Sequence, residues 1–155
     1  MNLHGKVAVV TGAASGIGEA AAAELANRGV RNVILVDRSD HVHEVAEAIN
    51  RAANRHTAVA MVGDATDPGF RSATCDEAAE RYGLVRVLVP AAGITRDSLA
   101  VKLNKDTGRA EIYPIEHFRL VTEVNLLAPI YWAIEMVARI AEDRAAKGLK
   151  RWEPV

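Results

Sequence analysis

Thr11-Gly12-Ala13-Ala14-Ser15-Gly16-Ile17-Gly18 (TGAASGIG) decides how this chain is read. Before it, residues 6–11 (KVAVVT) are β-branched and apolar through the middle, as a strand covered on both faces is. After it, residues 16–28 are rich in alanine and glutamate, space Ile17, Ala21 and Leu25 along one helical face, and stop at Gly29. A glycine-rich turn between a strand and a helix is where a chain builds an anion site. The glycines allow a tight turn and close backbone approach, and the helix N-terminus offers free N–H groups with a partial positive charge. Asp37 ends the next predicted strand, nineteen residues after Gly18, where a carboxylate can accept both hydrogen bonds of an adenosine ribose. The plainer alternatives are a glycine turn without a ligand and an aspartate that caps the following helix.

Outward from this segment, short β-branched runs alternate with longer stretches of helical spacing, a βαβαβαβ order. The second strand is 32–37 (NVILVD). Val42, Val45, Ala46, Ile49 and Ala53 form the stripe of a second helix, and 57–62 (TAVAMV) is a third strand. Asp67-Pro68 opens a third helix in the cap and first-turn positions, with Phe70, Thr74, Ala78 and Tyr82 facing inward and Gly83 closing it. Residues 85–89 (VRVLV) are the fourth strand. Residues 95–114 are polar and aperiodic, with Asn104, Asp106 and Gly108, and read as a surface loop. Residues 116–147 give the longest helix, apolar nearly all round from 124 to 140 and so expected to be covered on more than one side. Pro129 is expected to bend it and Gly148 to end it, and 149–155 read as the approach to a further strand.

The chain has 155 residues, half of them hydrophobic and a quarter charged, which is one domain, residues 1–155, long enough to bury a core. Nineteen basic and 20 acidic residues leave a net charge of −1, without the electrostatic footprint that nucleic acid or an anionic membrane needs. One cysteine, Cys75, allows neither an internal disulfide nor a cysteine-rich metal site, and cytoplasmic residence is expected. The uncharged stretch 124–134 is too short to span a bilayer, and no apolar signal region opens the chain; no membrane association or export is expected. His41 and His43, two apart on a helix, face different ways, so no metal site is expected either. Arg144, Lys147, Lys150 and Arg151 complement a helix C-terminus and need no partner.

Five segments in order resemble the short-chain dehydrogenase/reductase family. They are TGAASGIG at 11–18, Asp37 after the second strand, Gly63-Asp64-Ala65-Thr66 after the third, Pro90-Ala91-Ala92-Gly93 after the fourth, and Val124-Asn125 in the long helix. The likeness covers essentially the whole chain and corresponds to the N-terminal part of a family member. It implies a Rossmann-like, doubly wound parallel α/β sheet, truncated after the fourth strand and the long following helix, with NAD as cofactor. It places Ser15, Gly16 and Ile17 at the pyrophosphate, in a loop shaped by Gly12 and Gly18, and Asp37 with Arg38 at the adenosine ribose. It sets Asp64 and Ala65 beside the adenine, lines the cofactor with Ala91, Ala92 and Gly93, and gives Asn125 the support of a proton relay. NAD is expected over NADP because Asp37 would oppose a 2′-phosphate by like charge. A small alcohol or ketone substrate is implied, and Gly93-Ile94-Thr95-Arg96-Asp97 is similar to the segment of ketoacyl-carrier-protein reductases. The family also implies a homo-oligomer through helix 116–147.

Two departures from the family pattern bear on mechanism. Pro90 stands where the family usually has asparagine, which predicts a less well tied sheet. The family's acid/base pair, tyrosine with lysine four residues on, is absent: Tyr82, Tyr113 and Tyr131 are followed at that spacing by Arg86, His117 and Glu135. The chain therefore reads as a truncated gene product, expected to hold NAD without turnover, or else as a catalytically inactive dinucleotide-binding or assembly module. A nucleotide-dependent methyltransferase would share the glycine loop and the strand-end carboxylate, but has no use for the Asp64 and Ala91-Ala92-Gly93 segments.

Overall fold

In the computed structural model, which describes residues 2–149, four parallel strands form one sheet. They are β1 (Val7–Thr11), β2 (Asn32–Asp37), β3 (Ala58–Val62) and β4 (Val85–Pro90), in the order β3-β2-β1-β4. The crossovers are α1 (Gly16–Asn27), α2 (Val42–Ala53) and α3 (Pro68–Arg81). Period-two alternation sends Ala8, Val10, Val33 and Leu35 to one face, against α1 and α2, and Val7, Val9, Ile34 and Val36 to the other. Helices on both faces make the sheet doubly wound, and β1 and β2 are buried almost throughout because each lies between two strands.

The punctuation read from sequence lies where expected. Gly29 and Gly83 adopt positive φ at helix ends, and the Asp67 carboxylate accepts from the Phe70 N–H at 2.5 Å with Pro68 in the first turn. Three features differ. On α1 the buried face is Gly18, Ala22, Leu25 and Ala26, whereas Ile17 is 82% exposed. Residues 95–114 are not all loop: β5 (Val101–Leu103) and β6 (Ala110–Ile112) pair antiparallel as an exposed hairpin. The long helix is α4 (Ile115–Thr122), a π-helical turn (Glu123–Leu127) and α5 (Ala128–Ala146).

Pro129 explains the third difference. Proline has no N–H to return to the carbonyl four residues earlier, that of Asn125, so the helix widens in the turn before the proline, and the Ala128 N–H reaches back to the Glu123 carbonyl. Nor is this helix covered on several sides. Only Ala128 and Trp132 of α5 are buried, and no residue of α4 is. By length and composition, 115–146 is one helix that could cross a membrane, although in this fold α5 packs on α3 and β4. Lys150, Arg151 and the approach to a further strand lie outside the described residues.

Pro90 does not loosen the sheet. The Ala91 N–H donates to the Thr11 carbonyl (3.1 Å) and the Ala92 N–H to Thr11 Oγ1 (3.3 Å). By the alternation of a parallel ladder the Pro90 nitrogen faces away from β1, toward the edge of the sheet where it costs no bond to β1.

Candidate functional site

β1 delivers the chain into the glycine loop at the carboxyl edge of the sheet. Gly12 (φ +68°) and Gly16 (φ +58°) take left-handed conformations that side chains resist. Two of the glycines are also required by proximity. A Cβ on Gly12 would lie 2.6 Å from the Ala92 nitrogen, and one on Gly18 only 2.0 Å from the Gly12 carbonyl oxygen. The loop thus folds back on the first turn of α1 and against the segment after β4.

Its first amides are used internally. The Ala13 N–H donates to the Val36 carbonyl (3.2 Å), and the Ala14 N–H to Asp37 Oδ2 (3.0 Å). The next four, Ser15 to Gly18, belong to the cap and first turn of α1 and have no intrahelical acceptor. Ser15, Gly16 and Ile17 are exposed, so these amides present a donor cluster with the positive end of a twelve-residue helix behind it.

Asp37 is not a helix cap. Its Oδ1 accepts from the Ser39 N–H (3.0 Å) and its Oδ2 from Ala14, while α2 begins after His41. Two amide bonds leave acceptor sites on both oxygens. Asp37 and Arg38 line a cleft of about 180 Å3 together with Gly12, Asp64, Ala65 and Gly93. Val36, Gly63, Thr66, Ala92, Ile94 and Val124 complete its walls. The structure thereby brings seven of the expected residues together and leaves Ser15, Gly16, Ile17 and Gly18 at the N-terminal end of α1, while Ala91 and Asn125 do not line the cleft.

Arg38 does not stand free in this cleft: its Nε lies 4.0 Å from Asp64 Oδ2. Asp64 Oδ1 accepts from the Thr66 N–H (2.9 Å) and hydroxyl (2.7 Å). The Thr66 amide, aided by its hydroxyl and Arg38 and opposed by partial burial, holds the Asp64 carboxyl below the usual carboxylate range.

Asn125 sits in the π turn, and both ends of its amide are engaged by one residue. Oδ1 accepts from the Ile94 N–H (2.9 Å) and Nδ2 donates to the Ile94 carbonyl (2.8 Å). It therefore ties the segment after β4 to the π turn. Sequence reasoning missed a second tie of the same kind. Trp132, 1% exposed, donates its indole N–H to the Ala65 carbonyl (2.9 Å), so one helix holds the chain after both β3 and β4. The signal available was an indole N–H on the apolar helix, which needs an acceptor once buried. None of the three tyrosines lines the cleft: the Tyr113 hydroxyl donates to the Arg96 carbonyl (2.5 Å), while Tyr131 and Tyr82 stack under Arg71 and Arg81.

The family model for short chain dehydrogenases matches residues 6–148. The chain belongs to this family. It is 35% identical, over 106 residues, to the 3-oxoacyl-acyl-carrier-protein reductase of Pseudomonas aeruginosa, a match covering 68% of the chain and 42% of the relative. It is 37% identical over 139 residues to a hydroxyacyl-CoA dehydrogenase of Mycobacterium tuberculosis, covering 84% of the chain and 41% of the relative. Among solved structures, a short-chain type dehydrogenase/reductase from Mycobacterium marinum superposes with a TM-score of 0.75 at 25% identity, over 92% of this chain and 53% of that one. The chain thus spans about half or less of the length of these family members.

Proposed function

We propose that this chain is the NAD-binding half of a short-chain dehydrogenase that interconverts an alcohol and a ketone. One observation carries the reading: four amides of the α1 N-terminus without intrahelical acceptors stand beside a cleft that holds the Asp37 carboxylate, the two chemistries a dinucleotide needs at its pyrophosphate and its ribose. The residues fit such a cofactor. Gly12 and Gly18 leave no room for a Cβ, so the loop lies flat, and no atom stands within 4 Å of a Cβ built on Gly16.

When bound, the nicotinamide supplies or accepts the hydride. The chain's own groups do the positioning. Ser15, Gly16 and Ile17 donate backbone N–H groups to the pyrophosphate, Asp37 accepts from the ribose hydroxyls, and Asp64 and Ala65 flank the adenine. Ala91, Ala92 and Gly93 line the remainder, held at the required depth by the Asn125 clamp on Ile94. NAD is preferred to NADP, because a 2′-phosphate would meet Asp37 and would have to draw Arg38 from Asp64.

A ketone reduced by hydride must also receive a proton as the alkoxide forms. No tyrosine in these 155 residues has a lysine four positions on. This favours a second reading for the chain by itself, a dinucleotide-binding module without turnover. In either reading it resides in the cytoplasm, and a second copy covers the apolar face of α4 and α5. Calorimetric titration with NADH and NADPH is the test. NADH is expected to bind more tightly by roughly tenfold or more, a difference of about 1–3 kcal/mol, and Asp37→Ala is expected to erase the preference. Equal affinities in the unmodified chain would overturn the reading. An equal loss of both on Asp37→Ala would confine Asp37 to holding the Ala14 amide.

A further inference from the structure

A different group stands out between α3 and α5. Arg71 is 6% exposed, and among the described residues its Nε is the one buried side-chain nitrogen or oxygen without a hydrogen-bond partner. It forms an ion pair with Glu135, whose Oε1 is 3.8 Å from Nε, too far for a hydrogen bond. The other oxygen of Glu135 is bound by Arg139. Arg139 is by contrast well satisfied, with Asp76 Oδ1 at 2.8 Å, Ser72 Oγ at 3.0 Å and the Ser72 carbonyl at 3.2 Å. A guanidinium carries five N–H donors in a planar fork, and burying it without hydrogen bonds is costly.

What lies before Arg71 has a definite shape. The guanidinium carbon is 5.2 Å from the centre of the Tyr131 ring, and the side chain lines a separate depression of about 310 Å3 with Thr66, Pro68, Leu127, Ala128 and Tyr131. The walls are largely apolar, and Arg71 supplies the cation. Glu123 stands exposed on the rim, with no ion pair to Arg71. A planar anion on an apolar body matches this arrangement, since a carboxylate can take two parallel N–H bonds from the fork while its body rests on Tyr131 and Leu127.

We propose that Arg71 anchors a carboxylate-binding pocket between α3 and the α4–α5 helix, distinct from the dinucleotide cleft and sharing only Thr66 with it. The carboxylate comes from a small organic acid or from an acidic side chain of a second copy of this chain. The reading is independent of the cofactor assignment.

The test follows the Arg71 Nε–Hε resonance of the 15N-labelled chain, assigned through Arg71→Lys, during titration with benzoate and, as an uncharged control, benzyl alcohol. A saturable shift with benzoate alone, together with a benzoate affinity in calorimetric titration that falls about tenfold or more in Arg71→Met, supports a free acid as the occupant. Should Arg71→Met fail to fold, Arg71→Lys keeps the charge and loses the fork, and weaker benzoate binding there makes the same point. If the resonance instead moves with protein concentration, in step with dimer formation in sedimentation, the carboxylate comes from the second copy. No response to benzoate and none to concentration overturns the proposal, as does a shift produced by Glu123→Gln alone, which would mean that the rim glutamate closes on Arg71.

Discussion

Asn125 has the side chain of a hydrogen-bonding ligand residue and the position of a strut. Both its donor and its acceptor go to Ile94, so removing it frees two backbone groups that lie near the surface and can be rehydrated. Asn125→Ala is expected to destabilise the chain by about 1 kcal/mol and to lower Tm by about 2–4 °C. Asn125→Asp, which keeps the acceptor and loses the donor, should recover only part of this. An unchanged Tm in thermal unfolding would show the clamp to be idle. Asp64 makes a prediction of another kind. Its carboxyl is held below the usual range in the folded chain, chiefly by the Thr66 amide, so its stabilisation is present above the unfolded-state pKa and lost as pH falls through the folded one. Asp64→Asn is therefore expected to lower stability near neutrality by less than about 1 kcal/mol, because the side chain is partly exposed. The gap between the two proteins should close as denaturant midpoints are followed down through the carboxylate range, and a constant gap would contradict the assignment.

Among the elements, the β5–β6 hairpin is the most separable. All six strand residues are exposed, and the Tyr113 N–H donates to the Ala100 carbonyl (3.0 Å) across its base, so the flanking chain meets without it. Replacing residues 101–112 by two glycines is expected to change unfolding free energy by less than about 0.5 kcal/mol and to leave NADH affinity intact. A large loss would mean that the hairpin contributes to the core or to the cleft. Its strands escaped the sequence reading because each is three residues long with a charge at its centre, Lys102 and Glu111, too short for alternation to register. The usable signal was the Asn104–Gly108 turn between two apolar-charged-apolar triplets. By contrast, β1 through α3 were legible to within a residue or so, because buried parallel strands are continuous apolar runs and glycine, aspartate and proline punctuate the helices between them. Ile17 misled because four-residue spacing marks a face without saying which face is buried. The neighbouring alanines supply the packing surface, and Ile17 is left beside the free amides. In the site, the glycine loop and Asp37 could be read from spacing, while Pro129 and the Trp132 indole gave notice of a distorted helix and a buried donor without saying which backbone groups after β3 and β4 Trp132 and Asn125 would meet.

At the scale of the whole molecule, the α4–α5 helix leaves Phe118, Leu126, Ile130, Ile134 and Val137 open to solvent. Such a contiguous apolar stripe is more than a stable monomer commonly exposes. Self-association at micromolar concentration is expected in sedimentation velocity, with Ile130→Glu and Ile134→Glu together shifting the chain to monomer. A single monomeric species that binds no apolar dye would contradict this. The strand order has a consequence for how the chain is made. β1 is central, yet one of its two neighbours, β4, begins at Val85, paired with Val7. At elongation rates of about 5–20 residues per second that partner leaves the ribosome on the order of 4–16 s after β1 does. Throughout that interval one edge of a strongly apolar strand has no neighbour, and the Gly12 turn lacks the Ala92 backbone it rests against. The nascent β1-α1-β2 unit is thus a target for whatever shelters unpaired strands during synthesis, and the cleft beside Asp37 is not complete until residue 124 has emerged.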